Sequence, residues 1–209
     1  MNNKICYHVL GLGESAKNFY NHLENKIQKQ TPFDIVIGCN DIRRYVPDNF
    51  IDYLLVLDEL KEGKTNVIKG YNEHRTDVFQ VIKQTKPLKG FVSHLDCWSF
   101  KDNFIKIKLA TYPETMCNLS ELDTDLFPWS TNSPFVAACL AYKLGAKNII
   151  LWGVDFINHI ENQKGREARL AITLDHYYIL YRELQRRNVR MFVSSPISAL
   201  AKFLPVYDF

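Results

Sequence analysis

The sequence lacks the features that mark a secreted, zinc-binding or membrane-spanning protein. Its five cysteines include no Cys-x-x-Cys pair and no Cys/His grouping at zinc-ligand spacing. The N-terminal stretch MNNKICYHVLGLG has no apolar segment long enough for a signal peptide, and no run approaches the roughly 18 apolar residues of a membrane span. These absences predict a cytosolic protein with small, buried, reduced thiols and no structural zinc.

A strong charge excess is also missing. The chain has 26 Lys and Arg against 23 Asp and Glu, a formal net charge of +3, and its paired arginines at 43–44 and 186–187 form no basic stripe with interleaved aromatics. This balance does not indicate a nucleic-acid partner, although it suits a small anionic ligand. The sequence contains no internal repeat, low-complexity tract or Gly/Ser linker, so residues 1–209 are predicted to form one domain.

Short apolar runs alternate with segments of helical spacing along most of the chain. Strands separated by helices cannot pair as hairpins, so the pattern predicts an α/β fold: a Rossmann-like, mostly parallel sheet with helices on both faces. The predicted strands lie at 4–10, 33–41, 51–59, 90–95, 103–109, 148–152 and 189–195, and the predicted helices at 16–28, 75–85, 133–144, 174–187 and after 196, with a long loop at 110–129. Ligands of such sheets bind outside the carboxyl ends of the strands.

Polar clusters follow the first three predicted strands. In GLGES, Gly11, Gly13 and Ser15 stand where a strand turns into a helix, which fits either a phosphate cradle or a turn that needs glycine only for its geometry. Asn40 in GCND offers a donor and an acceptor to a ribose or base, and it is equally suited to a turn. Asp58 in VLDE could bind a divalent metal or a sugar hydroxyl, or belong to a solvated turn.

Three more polar clusters belong to the second half of the chain. STNSP at 130–134 holds more side-chain oxygens than one helix cap needs, which indicates a ligand site at the start of the helix. Asp155 in GVDF is predicted to be either a structural acceptor for backbone amides or part of the active site. SSPIS, from Ser194 to Ser198, repeats the hydroxyl and proline pattern.

Two histidines are candidate general bases. His176 follows Asp175 near the predicted start of a helix, where the pair could act as a base and its orienting partner. His159 lies in the charged segment 158–170, which is predicted to move or to form a lid. A lone histidine is also often an ordinary core or surface residue, and that reading stays open for both.

In their order along the chain, GLGES, CND, TNS, LGAKNIILWGVDF and SSPISALAKF resemble the layout of the family 42 sialyltransferases. The same layout is similar to the MptE-like pterin pyrophosphokinases, a related Rossmann-like group. The resemblance spans nearly the whole chain and is best over 131–156. It departs from the sialyltransferases at Ala171, where they place a catalytic histidine, and at Ser133, where they have glycine.

The resemblance implies a nucleotide site at the strand ends. Gly11, Gly13 and Ser15 would lie by the phosphates. Asn40, Thr131, Asn132 and Ser133 would contact the nucleotide, Gly153 and Asp155 would lie below the base or sugar, and Ser194 and Ser198 would lie at the far side.

Three functions are compatible with these features. The preferred hypothesis is a glycosyltransferase with a nucleotide-activated sugar of the CMP-sugar type and a small-molecule or glycan acceptor, requiring no cofactor; its catalytic candidates are His176, Asp155 and His159. The second is a magnesium-dependent pyrophosphokinase or nucleotidyltransferase, with Asp58 and Asp155 as metal ligands. The third is a non-catalytic nucleotide-binding or sequestering module, for instance a small phage or accessory protein. The sequence leaves a homo-oligomer open in each case.

Overall fold

The computed structural model describes residues 5–28, 34–59, 78–111, 116–130, 132–156 and 166–208. Nine strands and four α-helices lie in these ranges. The strands are β1 (Cys6–Leu10), β2 (Ile35–Cys39), β3 (Tyr53–Leu55), β4 (Gly90–Ser93), β5 (Phe104–Lys106), β6 (Lys108–Leu109), β7 (Leu126–Phe127), β8 (Asn148–Trp152) and β9 (Arg190–Val193). The helices are α1 (Asn18–Gln28), α2 (Val78–Gln84), α3 (Ser133–Lys143) and α4 (Arg166–Arg186).

Seven strands form one sheet in the order β5-β4-β3-β2-β1-β8-β9, and every pairing in it is parallel. The order reverses between β1 and β8, because the chain leaves β1 towards β2 and returns on the other side at β8. The prediction of an α/β, Rossmann-like parallel sheet is confirmed. In such a sheet the crevice at the reversal is the usual place for a ligand.

Two apolar cores lie on opposite faces of the sheet, as helices on both faces require. One core joins β1, β2 and β8 to α3 and α4 and contains the fully buried Phe135, Tyr177 and Leu180. The other joins the sheet to α1 and α2 through Phe19 and Ile82. Side chains alternate along β1, so that Val9 belongs to the first core and Leu10 to the second, as the two-residue period of a strand dictates.

Three predictions of local structure were wrong. The predicted strand 103–109 divides into β5 and β6, and β6 leaves the main sheet to pair with β7 inside the predicted loop 110–129. Helix α4 begins at Arg166 rather than near residue 174, because the segment REARLA consists of strong helix formers. His176 therefore lies in the middle of α4 and not near its start. Residues 158–165, which are most of the predicted lid at 158–170, lie outside the described residues.

All five cysteines are free thiols. Cys6, Cys39 and Cys139 are buried as predicted, but Cys97 is exposed and Cys117 is half-buried. Burial raises the pKa of Cys117 to about 12, so this thiol stays protonated. In the described part of the chain, no helix is both long enough and apolar enough to cross a membrane.

Candidate functional site at the carboxyl edge of the sheet

The turn after β1 and the turn after β8 contact each other at the point where the strand order reverses. The Gly11 amide donates to the Trp152 carbonyl at 2.8 Å, and the Gly13 amide donates to the Gly153 carbonyl at 2.7 Å. A Cβ added to Gly11 would meet the Gly153 oxygen at 2.5 Å. These glycines therefore allow two backbones to pass at hydrogen-bond distance, and the left-handed φ of +63° at Gly153 adds a second reason for glycine there.

Asp155 and Ser15 join the same two turns through their side chains. The Ser15 amide donates to Oδ2 of Asp155 at 2.8 Å, and the Ser15 hydroxyl donates to Oδ1 at 2.5 Å. The Ser15 oxygen also accepts from the Gly153 amide at 2.8 Å. Both carboxylate oxygens of the buried Asp155 thus have partners, which is the structural-acceptor alternative that the sequence left open.

The interlocked turns bear on the predicted phosphate site. The amides of Gly11, Gly13 and Ser15 already donate to the turn after β8, so they are not the donors of a phosphate cradle in this conformation. They fix the floor of the crevice instead. A nucleotide role for Gly11, Gly13, Ser15 and Gly153, and a catalytic role for Asp155, remain predictions.

The predicted cap of α3 is present and is reinforced from α4. Oδ1 of Asn132 accepts from the Phe135 amide at 3.3 Å, and the fully buried Tyr177 hydroxyl donates to the same oxygen at 2.7 Å. Burial raises the pKa of Tyr177, so its hydroxyl keeps its proton and remains a donor. Because Oδ1 is held by two donors, the amide orientation of Asn132 is fixed and its NH₂ group faces away from the cap.

Several buried polar atoms at this edge have no hydrogen-bond partner in the described part of the chain. Four of them are Oδ1 of Asn40, Nδ1 of His94, Oγ of Ser194 and Nε2 of His176. Asn40 directly follows β2, His94 follows β4 and Ser194 follows β9, so three of the four occupy carboxyl ends of strands. A buried polar atom without a partner costs about 1–3 kcal/mol, and such a group calls for an explanation.

Asn40 has a further mark of a specialised position. Its φ of +52° is left-handed, a region in which asparagine is tolerated and most side chains are not. The Asn40 amide donates to the Leu55 carbonyl at 3.1 Å, which ties the turn after β2 to β3. The side chain of Asn40 is thus held at the edge while its oxygen has no partner.

His176 is almost fully buried, with 4% of its surface exposed. Its ring lies 6.0 Å from that of Phe135, next to the cap of α3. Burial lowers the pKa of His176, and the charge of Asp175 raises it only in part. His176 therefore lies beside the predicted site as a neutral imidazole, but its burial separates it from a bulky second substrate.

The remaining predicted site residues divide into three groups. The Ser198 side chain makes hydrogen bonds within the protein: its hydroxyl donates to the Val154 carbonyl at 2.8 Å and caps the turn that follows. Ser133 is buried as the first residue of α3, and Asp58 is exposed after β3, where its carbonyl accepts from Trp98 at 3.3 Å. Thr131 and His159 lie outside the described residues.

Sequence reasoning missed His94 and the cavity beside it. The cavity measures about 660 Å³ and is lined by His94, Lys106, Ile107, Lys108, Leu109, Ala110, Thr111, Leu126 and Trp129. The position of His94 directly after a buried strand, in GFVSHLD, was the available signal. The cavity itself had none, because it forms only when β6 leaves the sheet to pair with β7.

One group of potential metal ligands lies within the described ranges. It lies on the face of the sheet that α1 covers, opposite α3 and α4. His8, His22 and Asp34 each offer a ligand atom, all within 4.8 Å of one another. However, the Trp152 indole, which can only donate, donates to Nδ1 of His8 at 3.0 Å. Nε2 of His8 must therefore carry the proton of the neutral ring and donate to Asp34 at 2.9 Å. This tautomer has no lone pair to offer a metal from Nε2.

No protein-family model and no curated protein matches the chain. Solved structures of sialyltransferases do match it over nearly its whole length. Sialyltransferase CstII from Campylobacter jejuni, in complex with the substrate analogue cytidine-5'-monophosphate (CMP), is 13% identical, with 100% of this chain and 86% of that chain covered and a TM-score of 0.55.

Two further matches agree. Sialyltransferase CST-II in complex with a trisaccharide acceptor and CMP is 14% identical, with 98% of this chain and 89% of that chain covered and a TM-score of 0.54. An α-2,3-sialyltransferase from Campylobacter jejuni in its apo form is 16% identical, covering 100% of this chain and 82% of that chain, with a TM-score of 0.52. At these identities the comparison shows that the chain has the fold of the sialyltransferases, and it gives no separate support to the pyrophosphokinase resemblance.

Proposed function

We propose that this chain is a glycosyltransferase that moves a sugar from a CMP-linked donor, bound at the carboxyl edge of the sheet, to a hydroxyl of a small molecule or glycan. The observation that carries the proposal is the set of buried polar atoms without partners around the reversal of the strand order: Asn40 Oδ1, His176 Nε2 and Ser194 Oγ. A polar ligand that hydrogen-bonds to them would offset a cost that the fold otherwise bears.

The spacing of these atoms suits an extended ligand. Neighbouring strands lie about 4.8 Å apart, and β2 and β9 are separated by β1 and β8. Asn40 and Ser194 are therefore roughly 14 Å apart along the edge. A nucleotide with an attached sugar can reach both, whereas a small inorganic ion cannot.

The N-terminus of α3 supplies the electrostatic part of the mechanism. Helix N-termini stabilise anions through the helix dipole, and α3 begins between the two ends of the proposed ligand. Pro134 has no amide hydrogen and the Phe135 amide donates to Asn132, so the dipole carries this effect. As the bond between the sugar and the phosphate breaks, negative charge grows on the phosphate, and a positive helix end nearby stabilises that transition state. Asn132, whose orientation Tyr177 fixes, would present its NH₂ group to the nucleotide.

The other predicted residues take supporting roles in this proposal. Ser15, Asp155 and the glycines of the two interlocked turns hold the floor on which the donor lies, and Ser198 fixes the end of the turn after β8. His176 and His159 are the bases that the sequence predicts for the acceptor hydroxyl. The sialyltransferases with this fold that bind CMP support the donor class.

The testing experiment is a thermal-shift titration of the purified protein with CMP, CDP, UDP, GDP and ATP, each with and without magnesium. CMP at about 100 times its Kd stabilises the folded state by about 2.7 kcal/mol, which corresponds to a rise in Tm of roughly 5–10 °C for a chain of this size. We expect CMP to give this rise without magnesium. A rise with ATP and magnesium alone would support the pyrophosphokinase hypothesis instead.

Two variants localise the binding. Asn40→Asp keeps the shape of the side chain and tolerates the left-handed backbone, but its charge repels a phosphate, so we expect the CMP shift to be lost. Ser194→Ala should reduce the shift, while Ser99→Ala, at an exposed serine, should leave it unchanged. The proposal fails if no nucleotide shifts the wild-type Tm; CMP binding without sugar transfer would leave the non-catalytic module.

A further inference from the structure

The cavity beside His94 lies at the same edge of the sheet as the proposed donor site. His94 follows β4, and only β3 separates β4 from β2, so His94 and Asn40 are roughly 10 Å apart along the edge. Trp129, which also lines the cavity, directly precedes the Ser-Thr-Asn-Ser segment that caps α3. The cavity is thus the neighbouring compartment of the proposed donor site.

The lining of the cavity has the character of a carbohydrate site. Its volume of about 660 Å³ falls in the range of small-molecule sites. The half-exposed ring of Trp129 offers a flat apolar face to a sugar ring, while Thr111, Lys106 and Lys108 offer polar groups around it. An aromatic face with a polar rim binds one side of a pyranose and leaves its hydroxyls to hydrogen-bond.

We propose that this cavity holds the acceptor sugar and that His94 is the general base that takes the proton of its attacking hydroxyl. The inference rests on the proposed function, and it assigns the second substrate and the base to residues that the sequence did not single out. Trp129 is the platform under the acceptor ring.

Comparison of the described histidines supports His94. His8 belongs to β1 and His22 to α1, and both rings contact Phe19, whose core lies on the face of the sheet opposite α3 and α4. His176 is 4% exposed and packs on Phe135. Among the histidines in the described ranges, His94 is the one that both lines a cavity and stands at the carboxyl end of a strand.

The proposed step is balanced without a metal or an oxidant. The acceptor hydroxyl gives its proton to Nε2 of His94, and its oxygen forms a bond to the anomeric carbon of the donor sugar. The bond from that carbon to the phosphate oxygen breaks, and CMP leaves with the electron pair. Nδ1, the inner nitrogen without a partner, carries the proton of the neutral ring before the reaction.

The charges around His94 keep it in the state that a base needs. Burial lowers the pKa of His94, and the nearby carboxylate of Asp58 raises it in part. Lys106 and Lys108 line the same cavity, and Lys106 pairs with Asp96 at 2.6 Å. At pH 7 the ring is therefore neutral, while Asp58 is available to stabilise the imidazolium that forms during proton transfer.

The test combines a transfer assay with the CMP thermal shift. The wild-type protein is incubated with CMP-N-acetylneuraminic acid and a panel of neutral and acidic mono- to trisaccharides, and products are detected by mass spectrometry. On the best acceptor, His94→Gln should lower kcat by about 10²–10⁴-fold, the usual contribution of a general base. Trp129→Ala should instead raise the acceptor KM about tenfold or more with a smaller effect on kcat.

Two readouts separate a base from a structural residue. His94→Gln should keep the wild-type CMP shift, which shows that the fold and the donor site are intact. His94→Ala should regain part of its activity with added imidazole, and its kcat should lose the acidic limb of the wild-type pH profile. A merely structural role would give neither result.

The outcomes also separate this inference from the proposed function. Absence of a CMP shift in the wild type overturns the donor site itself. A CMP shift without transfer to any saccharide of the panel overturns the acceptor cavity. Retained kcat in His94→Gln, or its loss in His159→Gln or His176→Gln with His94→Gln still active, moves the base to another histidine.

Discussion

His8 and His176 are both buried histidines, on opposite faces of one sheet, and they differ in what surrounds their nitrogens. His8 is 1% exposed, accepts from Trp152 at Nδ1 and donates to Asp34 at Nε2. His176 is 4% exposed, and its Nε2 has no partner among the described residues. Both ring nitrogens of His8 therefore have hydrogen-bond partners within the protein, whereas Nε2 of His176 has none among the described residues.

The same difference extends to the surroundings of each residue. Around His8 the rings of Phe19, His22 and Trp152 pack at centroid distances of 5.1–6.1 Å, in a region that is held by its own side chains. Around the carboxyl edge, Asn40, His94 and Ser194 all carry buried polar atoms without partners. Polar groups with partners stabilise the fold, whereas polar groups without partners mark the surface that a ligand is expected to complete.

The largest expected effect concerns buried polar groups that have partners, at the contact between the turn after β1 and the turn after β8. Asp155→Asn replaces one acceptor oxygen with an NH₂ group, which then faces either the Ser15 amide or the Ser15 hydroxyl. We expect the free energy of unfolding to fall by about 2–4 kcal/mol, because a buried donor loses its charged acceptor. Urea denaturation measures it, and Asp102→Asn, at an exposed aspartate, should change stability by less than about 0.5 kcal/mol.

The second prediction sets the two histidines against each other. His8→Phe leaves the Trp152 indole without an acceptor in the core and should cost about 1–3 kcal/mol. His176→Phe removes a polar atom that has no partner, so we expect a change within about 1 kcal/mol in either direction. Denaturation of both variants measures the contrast. Equal losses would show that packing, and not hydrogen bonding, distinguishes the two positions.

How far the sequence predicts this molecule depends on whether a contact is local. The parallel sheet and a side-chain cap within STNSP follow from local patterns, and both were predicted; the structure assigns the cap to Asn132. The contact of Ser15 with Asp155 joins residues 140 positions apart, so GLGES read alone could not distinguish a phosphate cradle from a turn that packs on another turn.

Local rules also failed where tertiary pairing competed with them. The segment 110–129 has the composition of a loop, yet β6 pairs with β7 there and builds the cavity beside His94. The start of α4 differs from the prediction because charged residues alone indicate a mobile segment, whereas REARLA has high helix propensity. The candidate site was easiest to place at strand ends, since one general rule of parallel sheets puts ligands there.

The third prediction concerns the carboxyl edge of the sheet, where the candidate site lies. Tyr177→Phe removes the donor to Asn132 Oδ1 and should lower stability by about 1 kcal/mol, the usual worth of one hydrogen bond. If Tyr177 positions Asn132 for the nucleotide, CMP affinity should also fall several-fold, measured by isothermal titration calorimetry. Tyr181→Phe is the matched control, because the Tyr181 hydroxyl bonds the exposed Gln185 instead. Unchanged CMP affinity in Tyr177→Phe would make Tyr177 a purely structural residue.

The smallest expected effect concerns pH. In the unfolded chain His176 has its ordinary pKa of about 6.5, and burial lowers that pKa in the folded state. The unfolded state therefore binds more protons below pH 6.5, so the stabilisation is complete above that pH and is lost as the pH falls. One titrating group changes the slope of the free energy of unfolding against pH by at most about 1.4 kcal/mol per pH unit.

Denaturation between pH 7.5 and 5 should show a shallower decline of stability in His176→Phe than in the wild type, since the variant has no imidazole at this position to protonate. The His94 contribution persists in both proteins, so the difference between the two curves isolates His176; superimposable curves would mean that His176 keeps its ordinary pKa, and that its ring is open to solvent in the way the site of a second substrate would require.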